Sequence, residues 1–192
     1  MALARLKRSN ASEAGFSLVE VLVATLVMVT GVLSMAGMFV LATQSNNSAR
    51  SSSYATILAE QKLEQLRSLA WGFDIQNLPV TDTSTDTTVA PESPIGGTGL
   101  APSPSDSLHR NVKGWVDHLD AWGEIVGNDE RAPNTAVYTR RWSVEPLPTN
   151  PNNTLILQVL VTRNLNRTVD DGRGVRLPDE ARVITVKTRK SQ

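Results

Sequence analysis

The chain has 192 residues, 40% of them hydrophobic and 20% charged, with 19 Lys+Arg against 19 Asp+Glu and no cysteine. That length suits one domain with a sizeable core, and the even charge balance lacks the basic excess of a general nucleic-acid binder. The missing cysteines exclude a disulfide scaffold, zinc-thiolate sites and thiol catalysis without fixing the compartment.

The first fifteen residues form a short basic head, with Arg5, Lys7 and Arg8 against a single Glu13. Residues 21–42 then carry no formal charge and are rich in Val, Leu, Met and Ala. As a helix such a run spans about 33 Å, against about 30 Å for a bilayer core. The basic flank places the head in the cytoplasm by the positive-inside rule, so the chain beyond Thr43 is expected on the exported side. A secretory signal peptide has an apolar stretch of only about 7–15 residues, so this run reads as a retained anchor. One residue resists the plain anchor reading. Glu20 stands between Val19 and Val21 at the mouth of the run, and a carboxylate in a spanning segment costs about 2.5–3.5 kcal/mol, less near the interface, so it marks either a functional group with a partner or an interfacial glutamate that reaches water.

The segment GFSLVEVLVA, from Gly15 to Ala24, closely resembles the class III signal of type IV prepilins and type II secretion pseudopilins: a basic leader ending in glycine, a phenylalanine after it, and a glutamate fifth from the cut. The resemblance implies that a prepilin peptidase cuts between Gly15 and Phe16 and methylates the Phe16 amine. It implies too that Glu20 pairs with the Phe16 amine of a neighbouring subunit inside a filament and sets axial register there, a pairing that would make a buried carboxylate tolerable. Further along, AEQKLEQLRSL, RRWSVEP and LILQVLVTRN resemble the minor pilins of the pilus modification, or V, type and their secretion counterparts. The expected partners are then the peptidase, other major and minor pilins through the N-terminal helix, the inner-membrane assembly platform and the membrane itself. The chain lacks the cysteine pair of many major pilins, which points away from a major adhesive subunit. The alternatives are a minor pseudopilin of a type II secretion tip complex and an uncleaved single-pass adhesin or sensor.

Beyond a polar stretch, SNNSARSSS, the chain becomes periodic. Ala55, Leu58, Ala59, Leu63, Leu66, Leu69 and Ala70 fall on one face at about 100° per residue, opposite Glu60, Glu64 and Arg67, with Lys62 inside the apolar stripe and Ile57 outside it. A single helix from about Phe16 to Ala70 is expected, with Gly72 and Pro79 as stops. The Thr, Ser, Pro, Gly and Asp composition of residues 77–106 predicts a long surface loop. Asp82 and Asp86 match no calcium loop.

Three antiparallel strands are expected after it. The first carries Tyr138, Trp142 and Val144 on one face with Arg140 between them, the second Leu155, Leu157, Val159 and Val161, and the third Ile184 and Val186. Turns fall at Asn150-Pro151-Asn152-Asn153 and Asp170-Asp171-Gly172-Arg173-Gly174. Residues 108–128 predict one further strand or an irregular cover. The resulting fold class is α+β, pilin-like: a long N-terminal helix packed on an antiparallel sheet of three to four strands. Its expected parts are a cleaved leader at 1–15, a transmembrane half-helix at 16–44, an amphipathic half at 45–72, a low-complexity loop at 73–107 and a β-rich region at 108–192. His109 and His118 are the sole histidines, and no H-E-x-x-H, G-x-S-x-G or P-loop pattern occurs. His118, between Asp117 and Asp120, reads as part of a solvated loop. No catalytic, cofactor or metal site is expected.

Overall fold

In the computed structural model, which describes residues 15–164 and 180–189, the chain is α+β. The basic head with Arg5, Lys7, Arg8 and Glu13, and the turn expected at residues 170–174, lie outside the described residues. Two compact units are distinguished, Met1–Asn46 and Asn47–Gln192. Helix α1 (Leu18–Ser68) is unbroken through the Ser/Asn-rich stretch. In the first unit every described residue is exposed, Val, Leu, Met and Phe included. The helix is long and apolar enough to cross a membrane.

In the second unit the helical residues Ser51, Ala55, Leu58, Ala59, Lys62, Leu63 and Leu66 are buried at spacings of three and four, the signature of one face turned to a core. The helix stops at Ser68, ahead of the expected Gly72. Its last carbonyls are taken by a cation from the sheet: Lys187 Nζ donates to the carbonyl oxygens of Leu66, Arg67 and Leu69 at 3.4, 2.5 and 2.6 Å. This satisfies backbone groups that a helix C-terminus leaves without partners.

The sheets hold more strands than the three to four expected. A two-stranded hairpin pairs β1 (Trp71–Phe73) with β2 (Pro79–Thr81), and a five-stranded antiparallel sheet follows the order β4 (Ile125–Gly127), β3 (Val116–Leu119), β5 (Tyr138–Pro146), β6 (Thr154–Arg163), β7 (Glu180–Thr188). The additional strands have three or four residues each, too few for a period of two to register. Strand β3 is buried at all four positions, so it carries no polar-apolar alternation at all.

Tyr138, Arg140, Trp142 and Val144 of β5, with Leu155, Leu157, Val159 and Val161 of β6, are buried on the helix-facing side. The strand expected around Ile184 and Val186 is present as β7. Ala181 and Val183 turn inward, whereas Ile184 and Val186 are each 56% exposed on the opposite side. Arg189, just past β7, ties down the β1–β2 hairpin by donating to the carbonyls of Gly72 and Val80 at 2.9 Å, with its guanidinium 3.6 Å from the centroid of the Trp71 ring.

Residues 82–100 fold more tightly than their composition suggests. Asp82 Oδ1 accepts the backbone N–H groups of Ser84 and Thr85, and the returning leg closes through Gly97 N–H to Ser84 O and Leu100 N–H to Asp82 O. A Cβ on Gly97 would lie 2.1 Å from Asp86 Cα, so only glycine lets the two legs approach this closely. Thr85, Thr87 and Thr88 are buried as a result.

Candidate functional site

Gly15, Phe16 and Ser17 are non-helical, and Glu20 sits in the first turn of α1. Ser17 is the N-cap. The Glu20 N–H donates to Ser17 Oγ at 3.2 Å, while the Ser17 N–H and hydroxyl donate to Glu20 Oε2 at 2.9 and 3.0 Å. This is a capping box, which satisfies donors that a helix start otherwise leaves open. The S-x-x-E spacing was visible in the sequence, but the expected helix began at about Phe16, two residues ahead of Leu18, too early to use it. The structure thus brings Glu20 to Ser17 of its own chain, and leaves the Gly15–Phe16 bond in irregular, exposed backbone.

The second concentration of chemistry lies inside the domain. Asp117 from β3 accepts Arg140 Nε on Oδ1 and Arg140 Nη2 on Oδ2, both at 2.9 Å, and Lys62 Nζ on Oδ2 at 3.1 Å. Arg140 Nη1 also donates to the Leu58 carbonyl at 3.0 Å, and Lys62 donates to the Thr87 carbonyl while lying 3.7 Å from the centroid of the Trp142 ring. Lys62 and Asp117 have no exposed side-chain surface, and Arg140 has 4%. Two cations therefore share one carboxylate away from water. Burial lowers the Lys62 ammonium to about 8, against the pull of Asp117 and with the help of Arg140. Lys62 and Arg140 stood out in the sequence as charges inside apolar stripes. Asp117 did not, because β3 is short and the segment around it read as a solvated loop.

That reading of residues 116–120 is corrected by the burial of Val116, Asp117, His118 and Leu119. His118 serves the fold: its Nδ1 meets Thr139 Oγ1 at 3.0 Å and its Nε2 meets the Asp129 carbonyl at 2.8 Å. An imidazole nitrogen facing a carbonyl must carry a proton, so Nε2 is the donor there. Trp142 is buried, while Trp122 in the β3–β4 turn is 83% exposed. Among the described residues no three His, Asp, Glu or Cys side chains are grouped to hold a metal ion.

Beside Arg140 lies a cavity of about 420 Å³, with Gln61 and Gln65 of α1, Glu92 and Glu124 among its walls. No family model, curated protein or solved structure matches this chain.

Proposed function

We propose that the chain is a minor type IV pilin: a structural subunit made as a precursor, cut by a prepilin peptidase between Gly15 and Phe16, and inserted through its N-terminal helix into a pilus, where it joins or primes assembly. The observation that carries the reading is the conjunction of Gly15, Phe16 and Glu20 with a helix whose Val, Leu, Met and Phe side chains are all exposed from Leu18 to Leu41. So much apolar surface is stable only in lipid or among like helices. A carboxylate at its head fits the second environment when a neighbour's amine, freed by leader removal, meets it. In this reading the protein waits in the inner membrane with its domain on the exported side, and has no enzymatic role.

Glu20→Ala should leave membrane insertion intact and block recovery of the protein in sheared filaments, while mass spectrometry of the wild-type N-terminus should find a methylated Phe16. Normal recovery of the variant, or an intact leader on the wild type, would overturn the reading. Deletion that spares surface motility and stops exoprotein release would move the subunit to a secretion pseudopilus.

A further inference from the structure

Three facts about the domain interior belong together. The Lys62–Asp117–Arg140 cluster has one more positive charge than negative, and Arg140 already holds both oxygens of Asp117. Asp117 is therefore paired without Lys62. What Lys62 alone supplies is a bond to the Thr87 carbonyl. Thr87 belongs to residues 86–92, a strap closed on itself by the Asp86–Ser93 bridge, and residues 89–92 of this strap form one wall of the cavity that has Arg140 among its lining residues. The strap's other ties are lighter: Asn128 Nδ2 to Thr88 Oγ1 at 2.8 Å, only part-buried, and Gln65 Nε2 to Glu92 Oε2 at 2.9 Å, which is exposed to water.

We propose that Lys62 is a latch: its ammonium holds the Thr87 carbonyl and so keeps residues 86–92 strapped over the cavity beside Arg140, and loss of that charge lets the strap lift and admits solvent to Arg140. The charged and titratable groups that face Lys62 are Asp117 from β3, Arg140 from β5 and Asp86 from the strap itself, with the Trp142 ring supplying a π-face. Asp86 and Asp117 favour the closed form by attracting the ammonium, and Arg140 and burial oppose it. A charge-assisted hydrogen bond in a dry site is strong enough to dominate such a strap, and a neutral amine in its place donates far more weakly. The device is independent of leader cleavage and of filament membership.

Amide hydrogen exchange of the full chain in detergent micelles tests it. Wild type at pH 7 should protect Thr88 and Ser93, whose amides bond to Asp86 within the strap and open to solvent when a strap freed from Lys62 frays. In Lys62→Met these amides should exchange about ten- to a hundredfold faster, the range that loss of a hydrogen bond to a charged group implies, with β5 and β6 unchanged. Wild type taken to pH 9.5 should approach the variant once the intrinsic acceleration of exchange is divided out, and the variant should show no such dependence. Unchanged strap exchange in Lys62→Met overturns the proposal, as does a wild-type strap indifferent to pH. Loss of protection across β5 and β6 together with the strap would make Lys62 a pin of the whole core and equally overturn it.

Discussion

Asp117 is the side chain on which the domain's electrostatics turn. Replacing it with Asn leaves Lys62 and Arg140 as two buried cations without their shared carboxylate, and unpairing buried ions costs about 3–5 kcal/mol. Chemical denaturation of the Asp117→Asn variant should show a loss of that size. Lys62→Met should differ sharply, because the Asp117–Arg140 pair survives it: a stability close to wild type or above it is expected at pH 7. The pH dependence follows from the lowered Lys62 value of about 8 against an ordinary 10.5. Between those values the unfolded chain binds the proton and the folded chain does not, so this group's contribution to stability is complete above about 10.5 and is lost as pH falls through about 8. A shift of that size corresponds to on the order of 3 kcal/mol at full burial. The unfolding free energy of wild type should therefore rise steadily relative to that of Lys62→Met from pH 8 to 10.5. A constant gap would mean that Lys62 does not titrate in the folded state. The whole fold thus gains from losing this proton even as the strap loses its tie.

The elements show which parts of the fold can be read without coordinates. The buried stripe of α1 and the inward residues of β5 and β6 announced themselves through repeats of 3.6 and 2, because each of these elements is long enough to show its period. The further strand expected within residues 108–128 is present as two, β3 and β4, whose bounds could not be read because three or four residues hold no period, and with them went Asp117. In β7 both faces are rich in β-branched residues, so composition marked a strand but could not tell Val183 inside from Ile184 outside. The candidate N-terminal site rests on a spacing of Gly15, Phe16 and Glu20 in the sequence, whereas Ser17's hydrogen bonds required geometry. Lys187 is a contact between elements that no local pattern announces, since it lies more than a hundred residues from the carbonyls it caps. Lys187→Ala should cost about 1–2 kcal/mol, the range for a charge at a helix C-terminus that also makes hydrogen bonds. Amide exchange should show the last turn of α1, around Leu66 to Ser68, opening first; uniform destabilisation would argue against a capping role.

At the scale of the molecule, two materials share one chain. None of the described residues up to 46 is buried, while the domain core draws on the helix only from Ser51 onward. The second unit, Asn47–Gln192, holds every buried residue among those described. That unit made alone should be soluble and unfold cooperatively, with a Tm within a few degrees of the same transition in the full chain, as judged by circular dichroism. Failure to fold would mean that the apolar half of the helix supports the domain as well as anchoring it. The even sum of 19 basic and 19 acidic residues gives no hint of this partition. It averages a charge-free helix segment with a charged domain that buries two cations on one carboxylate.

The β3–β4 turn gives the molecule an optical asymmetry. Three of the four indoles belong to the core or pack against it, while that of Trp122 stands 83% exposed in a turn whose Gly123 lies against Tyr54 and Leu58 of α1. Under ultraviolet excitation the protein thus carries a long-wavelength emitter beside three shielded ones, and whatever comes to rest against that turn, whether lipid, another subunit or a foreign surface, writes its arrival into the colour of one residue.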